Sequence, residues 1–279
     1  MINVSQIINY IRETGHNPYS DNALTKSDIF YINTLEDHYN TLSKEIFSVV
    51  NNNNINSLLE LGSYMAVGSH LAKEAGVSDI TCSDIYDLAE DSLYKKWLLK
   101  KDISYQNFDL TKKPRDEFIK KYDCIVFQET LEHIPHNPAR VLLNVNQMLK
   151  DDGILIFSVP NFYSLRSIIN LIKFSHPYVK KEELLDIDSV TEKSGVHWIE
   201  FNSKLIRNIV EFCNYKIISH NKNNIKYGSS LRYRIKNIIK IVLPPIFDQH
   251  RFILKKDNDF DVYLKNRKRI TSEHEALNI

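Results

Sequence analysis

The strongest constraint on how this chain can fold is a short turn between an apolar strand and a helix. Ser57-Leu58-Leu59-Glu60-Leu61 reads as a buried strand and Val67 to Ala75 as a helix, with Gly62-Ser63-Tyr64-Met65-Ala66 between them. Little side chain at such a turn lets the backbone come close to a ligand. The helix start that follows, near Val67-Gly68, presents free N–H groups to an anionic group. Asp84 stands at the end of the next strand, about twenty residues further on, where an acid can take both hydroxyls of a ribose. The G-x-G-x-x-G dinucleotide pattern is absent, and so is the Gly-Lys-Ser/Thr of a phosphate-binding loop. A glycine turn with no ligand is the alternative reading of this segment taken alone.

The rest of the chain repeats the alternation. Asp79 to Ser83, Ile103 to Phe108, Tyr122 to Gln128 and Ile154 to Val159 read as further strands. Gly76 is placed to end the helix Val67 to Ala75, and Tyr86 to Lys101 and Pro138 to Lys150 read as further helices, the latter ended by Asp151-Asp152-Gly153. Phe201 to Asn214 reads as a helix, and Tyr215 to His220 and Arg251 to Lys255 as two final strands. Such alternation predicts an α/β fold with a mostly parallel sheet covered on both faces. Residues 1–50 form a helical N-terminal extension, with Ile29 to Val50 at helical spacing. Residues 51–256 form the main domain. It carries a cap insertion at 161–200 and a basic insertion at 222–248, and a polar, frayed tail follows at 257–279.

Composition narrows the partners. With 36 Lys+Arg against 35 Asp+Glu the net charge is +1, which argues against a general nucleic-acid binder. Cys82, Cys124 and Cys213 sit in apolar runs and fit neither a metal spacing nor a disulfide framework, so reduced buried thiols are expected. No apolar run is long enough to span a membrane, and no signal pattern opens the chain, so a soluble, cytoplasmic protein is expected.

At this point the chain resembles the class I S-adenosylmethionine-dependent methyltransferases, in particular the ubiquinone-type and sugar O-methyltransferase branch. The resemblance covers roughly residues 55–220. Leu59-Glu60-Leu61-Gly62 matches the family's acid-x-Gly loop, and Ser83-Asp84-Ile85 its ribose acid and adenine-packing residue. Asn107-Phe108-Asp109-Leu110 matches the segment whose acid reads the adenine amino group. Gln128-Glu129-Thr130-Leu131-Glu132-His133-Ile134 matches the element after the fourth strand. Gly153 to Asn161 matches the fifth strand and its Pro-Asn exit, and His197-Trp198 through Phe201 a late His-plus-aromatic element. The resemblance implies a Rossmann-like, seven-stranded sheet with its last strand antiparallel. It also implies S-adenosylmethionine as cofactor, held by Glu60, Gly62, Ser63, Tyr64, Gly68, Asp84, Ile85, Phe108, Asp109, Leu110 and Gln128. The family usually has two further glycines where this chain has Tyr64 and Ala66. A bulky Tyr64 is expected to keep a negative φ, with its ring covering the methionine end of the cofactor or facing the core.

Methyl transfer to a hydroxyl needs a base placed on the methyl-sulfur axis. His133 is the first candidate and His197 the second, with Glu132 beside them. In the ubiquinone-type enzymes a similar E-x-x-E-H element binds a divalent cation, which here implies Glu129, Glu132 and His133 as ligands. The cap aromatics Phe162, Tyr163, Tyr178 and Trp198 could line a pocket for a sugar or a nucleotide- or lipid-linked glycan precursor. They serve equally as cap core. Amine methylation, methylation of a quinone precursor and a non-catalytic cofactor-binding module are the other readings. Between Glu211 and Asp248 no acid occurs, while Leu231, Ile235, Ile238, Ile239 and Val242 recur at helical spacing beside Arg232, Lys236 and Lys240. This segment, 229–245, reads as an accessory helix with a solvated face or as a peripheral contact with an anionic membrane surface.

Overall fold

A computed structural model of the chain describes residues 3–18, 22–173, 197–224 and 246–257. Tyr178, most of the cap insertion, the basic helix expected at 229–245 and nearly all of the C-terminal tail lie outside the described residues.

Seven strands form one sheet: β1 Ser57–Leu61, β2 Asp79–Asp84, β3 Ile103–Asn107, β4 Tyr122–Gln128, β5 Leu149–Pro160, β6 Tyr215–Asn223 and β7 Gln249–Lys256. Their order is β3-β2-β1-β4-β5-β7-β6. β1 to β5 pair in parallel, and β7 runs antiparallel between β5 and β6, as expected of the last strand. Alternate residues of each central strand enter separate cores. Leu58, Cys124, Val126, Ile154 and Ile156 face one side. Leu59, Leu61, Ile125, Phe127, Leu155 and Phe157 face the other. A sheet apolar on both faces must be covered on both.

The first face is covered by α1 (Val4–Thr14), α3 (Glu36–Asn52) and α4 (Val67–Glu74). In α1 the stripe Val4, Ile7, Ile8 and Ile11 is buried, and Asn3 caps its start. The N-terminal helices are therefore part of the main core. The expected helical run from Ile29 is broken at Leu35, giving α2 (Lys26–Thr34) and α3. α2 opens with a capping box in which Thr25 and Asp28 serve each other's backbone N–H groups. The second face is covered by α6 (Pro138–Met148) and α8 (Ser203–Phe212), through Val141, Leu142, Val145, Ile206 and Val210. Helix α7 (Leu165–Ile172) follows β5.

Several expected boundaries shift. The helix expected from Tyr86 begins only at Leu93, because the Ser92 side chain caps it there; α5 is Leu93–Leu99. β5 starts at Leu149, since Gly153 lies in an irregular part of the strand and not in a turn before it. β6 runs past His220 to Asn223, claiming the first residues of the basic insertion. The three cysteines are free and buried, as expected. No helix among the described residues is long and apolar enough to cross a membrane.

One buried ion pair ties α3 to β7. Arg251, 1% exposed, donates Nε and Nη2 to the two carboxylate oxygens of Glu45 at 2.9 and 2.6 Å. Its Nη1 lies 3.1 Å from His38 Nδ1. A guanidinium only donates, so His38 accepts and stays neutral; burial, with Arg251 beside it, pushes its pKa down to about 3. Glu45→Ala leaves the guanidinium buried and unpaired. It is expected to lower the unfolding free energy by about 3–5 kcal/mol in urea titrations, and a loss below about 1 kcal/mol would show that the pair does not anchor α3.

Candidate active site

In a doubly wound sheet, ligands bind at the carboxyl ends of the strands where the strand order reverses, which here lies between β1 and β4. The loops leaving these two strands meet there. Gly62 has φ +61, and a Cβ on it would collide with the Thr130 side chain. Glycine is required at this position both by conformation and by space.

The β1 loop is held by the acid that precedes it. Ala66, the N-cap of α4, offers no side-chain cap. Glu60, 8% exposed, supplies one from β1: Oε1 accepts Gly68 N at 2.9 Å, and Oε2 accepts Ser69 N and Oγ, both at 2.6 Å. Burial pushes the Glu60 pKa up to about 7 while these donors work against it. Gly68 is needed for this approach, because a Cβ there would lie 2.6 Å from Glu60 Oε1. Glu60 and Gly68 thus shape the loop from behind.

Tyr64 corrects one expectation. Its φ is +44 and that of Ala66 is +53, so both keep the left-handed conformation that glycine would adopt without cost. Tyr64 is held at three points. Its N–H points to Asp84 Oδ2 at 3.3 Å, its carbonyl accepts the Tyr94 hydroxyl at 2.6 Å, and its own hydroxyl donates to Asp28 Oδ1 at 2.6 Å. The ring meets Tyr31 edge-on, with centroids 5.8 Å apart. It therefore faces the N-terminal helices. Ser63 donates its N–H to Ser83 O at 2.9 Å, joining the loop to β2.

Asp84 lies opposite this loop at the end of β2. Its Oδ1 accepts Ile85 N at 2.8 Å, and burial raises its pKa against the two backbone donors. Ile85 is 58% exposed. Asp109 accepts from Thr111 through Oδ1 and pairs with Lys112 through Oδ2 at 3.0 Å. Burial opposes its ionisation, but these partners outweigh it and hold the carboxyl below the usual range. Phe108 and Leu110 pack into the second core, Phe108 edge-on against Phe118. Gln128 donates Nε2 to Ile156 O at 3.1 Å, and its buried Oε1 has no partner among the described residues. A polar cleft of 640 Å³ runs along β3 past Phe108 and Asp109, beyond the Asp84 side.

The β4 loop carries the second cluster. Glu132 is 1% exposed, and its Oε2 has no partner among the described residues. Burial, then the neighbouring Glu129, raises its pKa well above the usual carboxylate range. The rings of His133 and His197 meet edge-on, with centroids 4.7 Å apart. His197 Nδ1 lies 3.0 Å from Glu200 Oε1, and Trp198 N donates to Glu132 O at 2.7 Å. Together these bring the end of the cap onto the β4 loop. Glu132, His133 and His197 each offer a ligand atom within 4.8 Å of the others, enough to hold one ion. Glu129 is not in this group. At φ +45 its carboxylate accepts the Ser158 hydroxyl at 2.6 Å.

Asp28, Tyr31, Thr130, Tyr94 and Glu200 carry no sequence signal tying them to the site, apart from the capping box that names Asp28 as a helix-start residue. Tyr31, half exposed, meets the site through its edge-on ring contact with Tyr64.

The strand order, the switch-point loop and the acid on β2 define the class I methyltransferase fold. A family model of methyltransferase domains matches residues 30–218. The chain therefore belongs to the methyltransferase-domain family and is an S-adenosylmethionine-dependent methyltransferase. No curated protein sequence matches it. Among solved structures it is similar to a SAM-dependent methyltransferase from Archaeoglobus fulgidus, at 17% identity and TM-score 0.51, over 82% of this chain and 100% of that one. It is similar to a putative sarcosine dimethylglycine methyltransferase from Galdieria sulphuraria at 13% identity and TM-score 0.54, over 92% and 99%. It is also similar to the methyltransferase CalH, solved with SAH, at 14% identity and TM-score 0.55, over 91% and 65%. At these identities the likeness is one of fold.

Gly68→Ala is expected to dislodge the Glu60 carboxylate and to lower stability by about 1–3 kcal/mol in urea unfolding. An unchanged unfolding midpoint would refute the clamp.

Proposed function

We propose that the β1 loop and the end of β2 hold S-adenosylmethionine, and that the chain methylates a hydroxyl of a small molecule, a sugar or a glycan precursor. The observation that carries the donor part is the left-handed loop at the switch point, with Asp84 beside it at the end of the neighbouring strand β2. The residues present suit the donor. Asp84 can take the ribose hydroxyls, and exposed Ile85 offers an apolar face to adenine. Asp109 can meet the adenine amino group once Lys112, itself on the surface, swings aside. The unpartnered Gln128 Oε1 is an acceptor for the donor's ammonium group.

When bound, the donor supplies an electrophilic methyl group on a sulfonium. The chain must then hold the acceptor in line and remove its proton. His197 suits the base role: Glu200 on Nδ1 orients the ring and favours the tautomer with Nε2 free to accept a proton. His133, packed against it, is the second candidate. The hydroxyl and sugar assignments are supported by this histidine pair and by the exposed aromatic rings of Tyr163 and Trp198 at the cap.

Calorimetry with S-adenosylhomocysteine tests the donor reading. Asp84→Ala is expected to weaken binding at least about tenfold, the scale of one lost charge-assisted hydrogen bond or more. No heat with the wild-type chain sinks the reading. With methyl-labelled donor and a panel of nucleotide sugars and amines, label is expected in base-stable ethers. Label only on amines overturns the hydroxyl assignment.

A second reading concerns a divalent cation. The closeness of Glu132, His133 and His197 favours it over the set with Glu129. If the ion takes part, chelator abolishes transfer and magnesium or manganese restores it. Full turnover in chelator removes this reading.

A further inference from the structure

Tyr64 stands where the family's loop usually has a small residue, and it lies in a backbone conformation that disfavours any side chain. Something must repay that strain. Its hydroxyl reaches out of the loop to Asp28 of α2, at 2.6 Å. Asp28 is buried and fully engaged. Its Oδ2 accepts Asn17 Nδ2 at 3.1 Å and the Thr25 N–H and hydroxyl, each at 2.8 Å, leaving Oδ1 for Tyr64. This carboxylate is at once the reciprocal half of the α2 capping box and the acceptor for the donor loop.

Tyr31 lies three residues on, on the same face of α2. Its ring packs edge-on against Tyr64, and it is 49% exposed. Helix α2 therefore touches the donor loop twice, through the Asp28 carboxylate and through the Tyr31 ring.

We propose that Tyr64 and Asp28 are positioning residues that couple donor binding to the docking of α2, so that filling the β1 loop also seats α2 and its Tyr31 ring against that loop. The inference rests on the donor-site reading above. The physical basis is that Tyr64 N–H and Tyr64 hydroxyl belong to one residue. Ordering its backbone against Asp84 also orders the hydroxyl against Asp28. Helix α2 is short, and a short helix depends on its tertiary contacts for stability. A single strong hydrogen bond to a carboxylate is enough to bias it.

Hydrogen exchange on the full chain, with and without S-adenosylhomocysteine, tests the coupling. In the wild type the ligand is expected to slow exchange in residues 62–68 and also in α2. In Tyr64→Phe the loop is still protected, but the ligand-dependent protection of α2 disappears, and affinity falls about fivefold, the lower end of a site-to-site coupling. Tyr64→Gly serves as the second variant. Glycine accepts the positive φ, so this chain folds, and it too is expected to bind ligand without protecting α2. A purely structural hydrogen bond would slow or speed α2 exchange equally with and without ligand. Protection of α2 that persists in both variants, or that is absent from a wild-type chain that binds, overturns the proposal. A wild-type chain with no calorimetric heat instead sinks the donor-site reading beneath it.

Discussion

The arrangement of this site depends on a carboxylate at the end of β1. Helix α4 begins at Ala66, which has no side chain able to cap it, so its first N–H groups would be unsatisfied in a buried place. Glu60 reaches eight and nine residues forward to satisfy them. The strand and the helix are thereby pinned to each other at a fixed distance, and the five residues between have one compact path. That path forces left-handed turns at Gly62, Tyr64 and Ala66. It also directs the loop's N–H groups toward Asp84 and the end of β2. Burying a carboxylate is costly unless donors surround it, and the helix start is the source of those donors.

The same loop is braced from the N-terminal side. α1 and α3 share the core of one sheet face, and the Glu45–Arg251 pair fixes α3 to β7. α2 lies between this anchored unit and the loop, with Asp28 and Tyr31 on the face that meets Tyr64. The N-terminal extension thus packs against the β1 loop and the core of the sheet. Across the cleft, the β4 loop and the end of the cap meet through Glu132, His133, His197 and Trp198. The two loops leave neighbouring strands, β1 and β4, so the parallel register of the sheet sets the spacing between them.

Much of this was legible in the chain itself. Five-residue apolar runs alternating with amphipathic stretches can bury both faces only in a parallel sheet, and the strand centres fall where that pattern puts them. Asp84 and Ile85 were legible because they follow a strand at a set distance from the glycine turn. The ends of elements were less so. Ser92 caps α5 well inside a segment whose composition looks helical from Tyr86 on. Gly153, a turn residue by type, sits inside β5. The conformation of Tyr64 was misread because intrinsic preference disfavours left-handed tyrosine, and contacts from Asp28, Asp84 and Tyr94 overrule that preference. Spacing in sequence likewise does not reveal that the backbone turns at Glu129 and that its carboxylate accepts the Ser158 hydroxyl.

By itself, then, the sequence determined the layered α/β fold, the glycine turn after β1 and the acid at the end of β2. These follow from hydrophobic periodicity and from short-range backbone requirements, which each segment carries locally. Only the tertiary structure decided that Tyr64 is tied to α2, that the Tyr31 ring packs on Tyr64, and that His197 joins His133 and Glu132. Those pairings join residues far apart in the chain. They depend on how strands and helices stack, and no local preference encodes that.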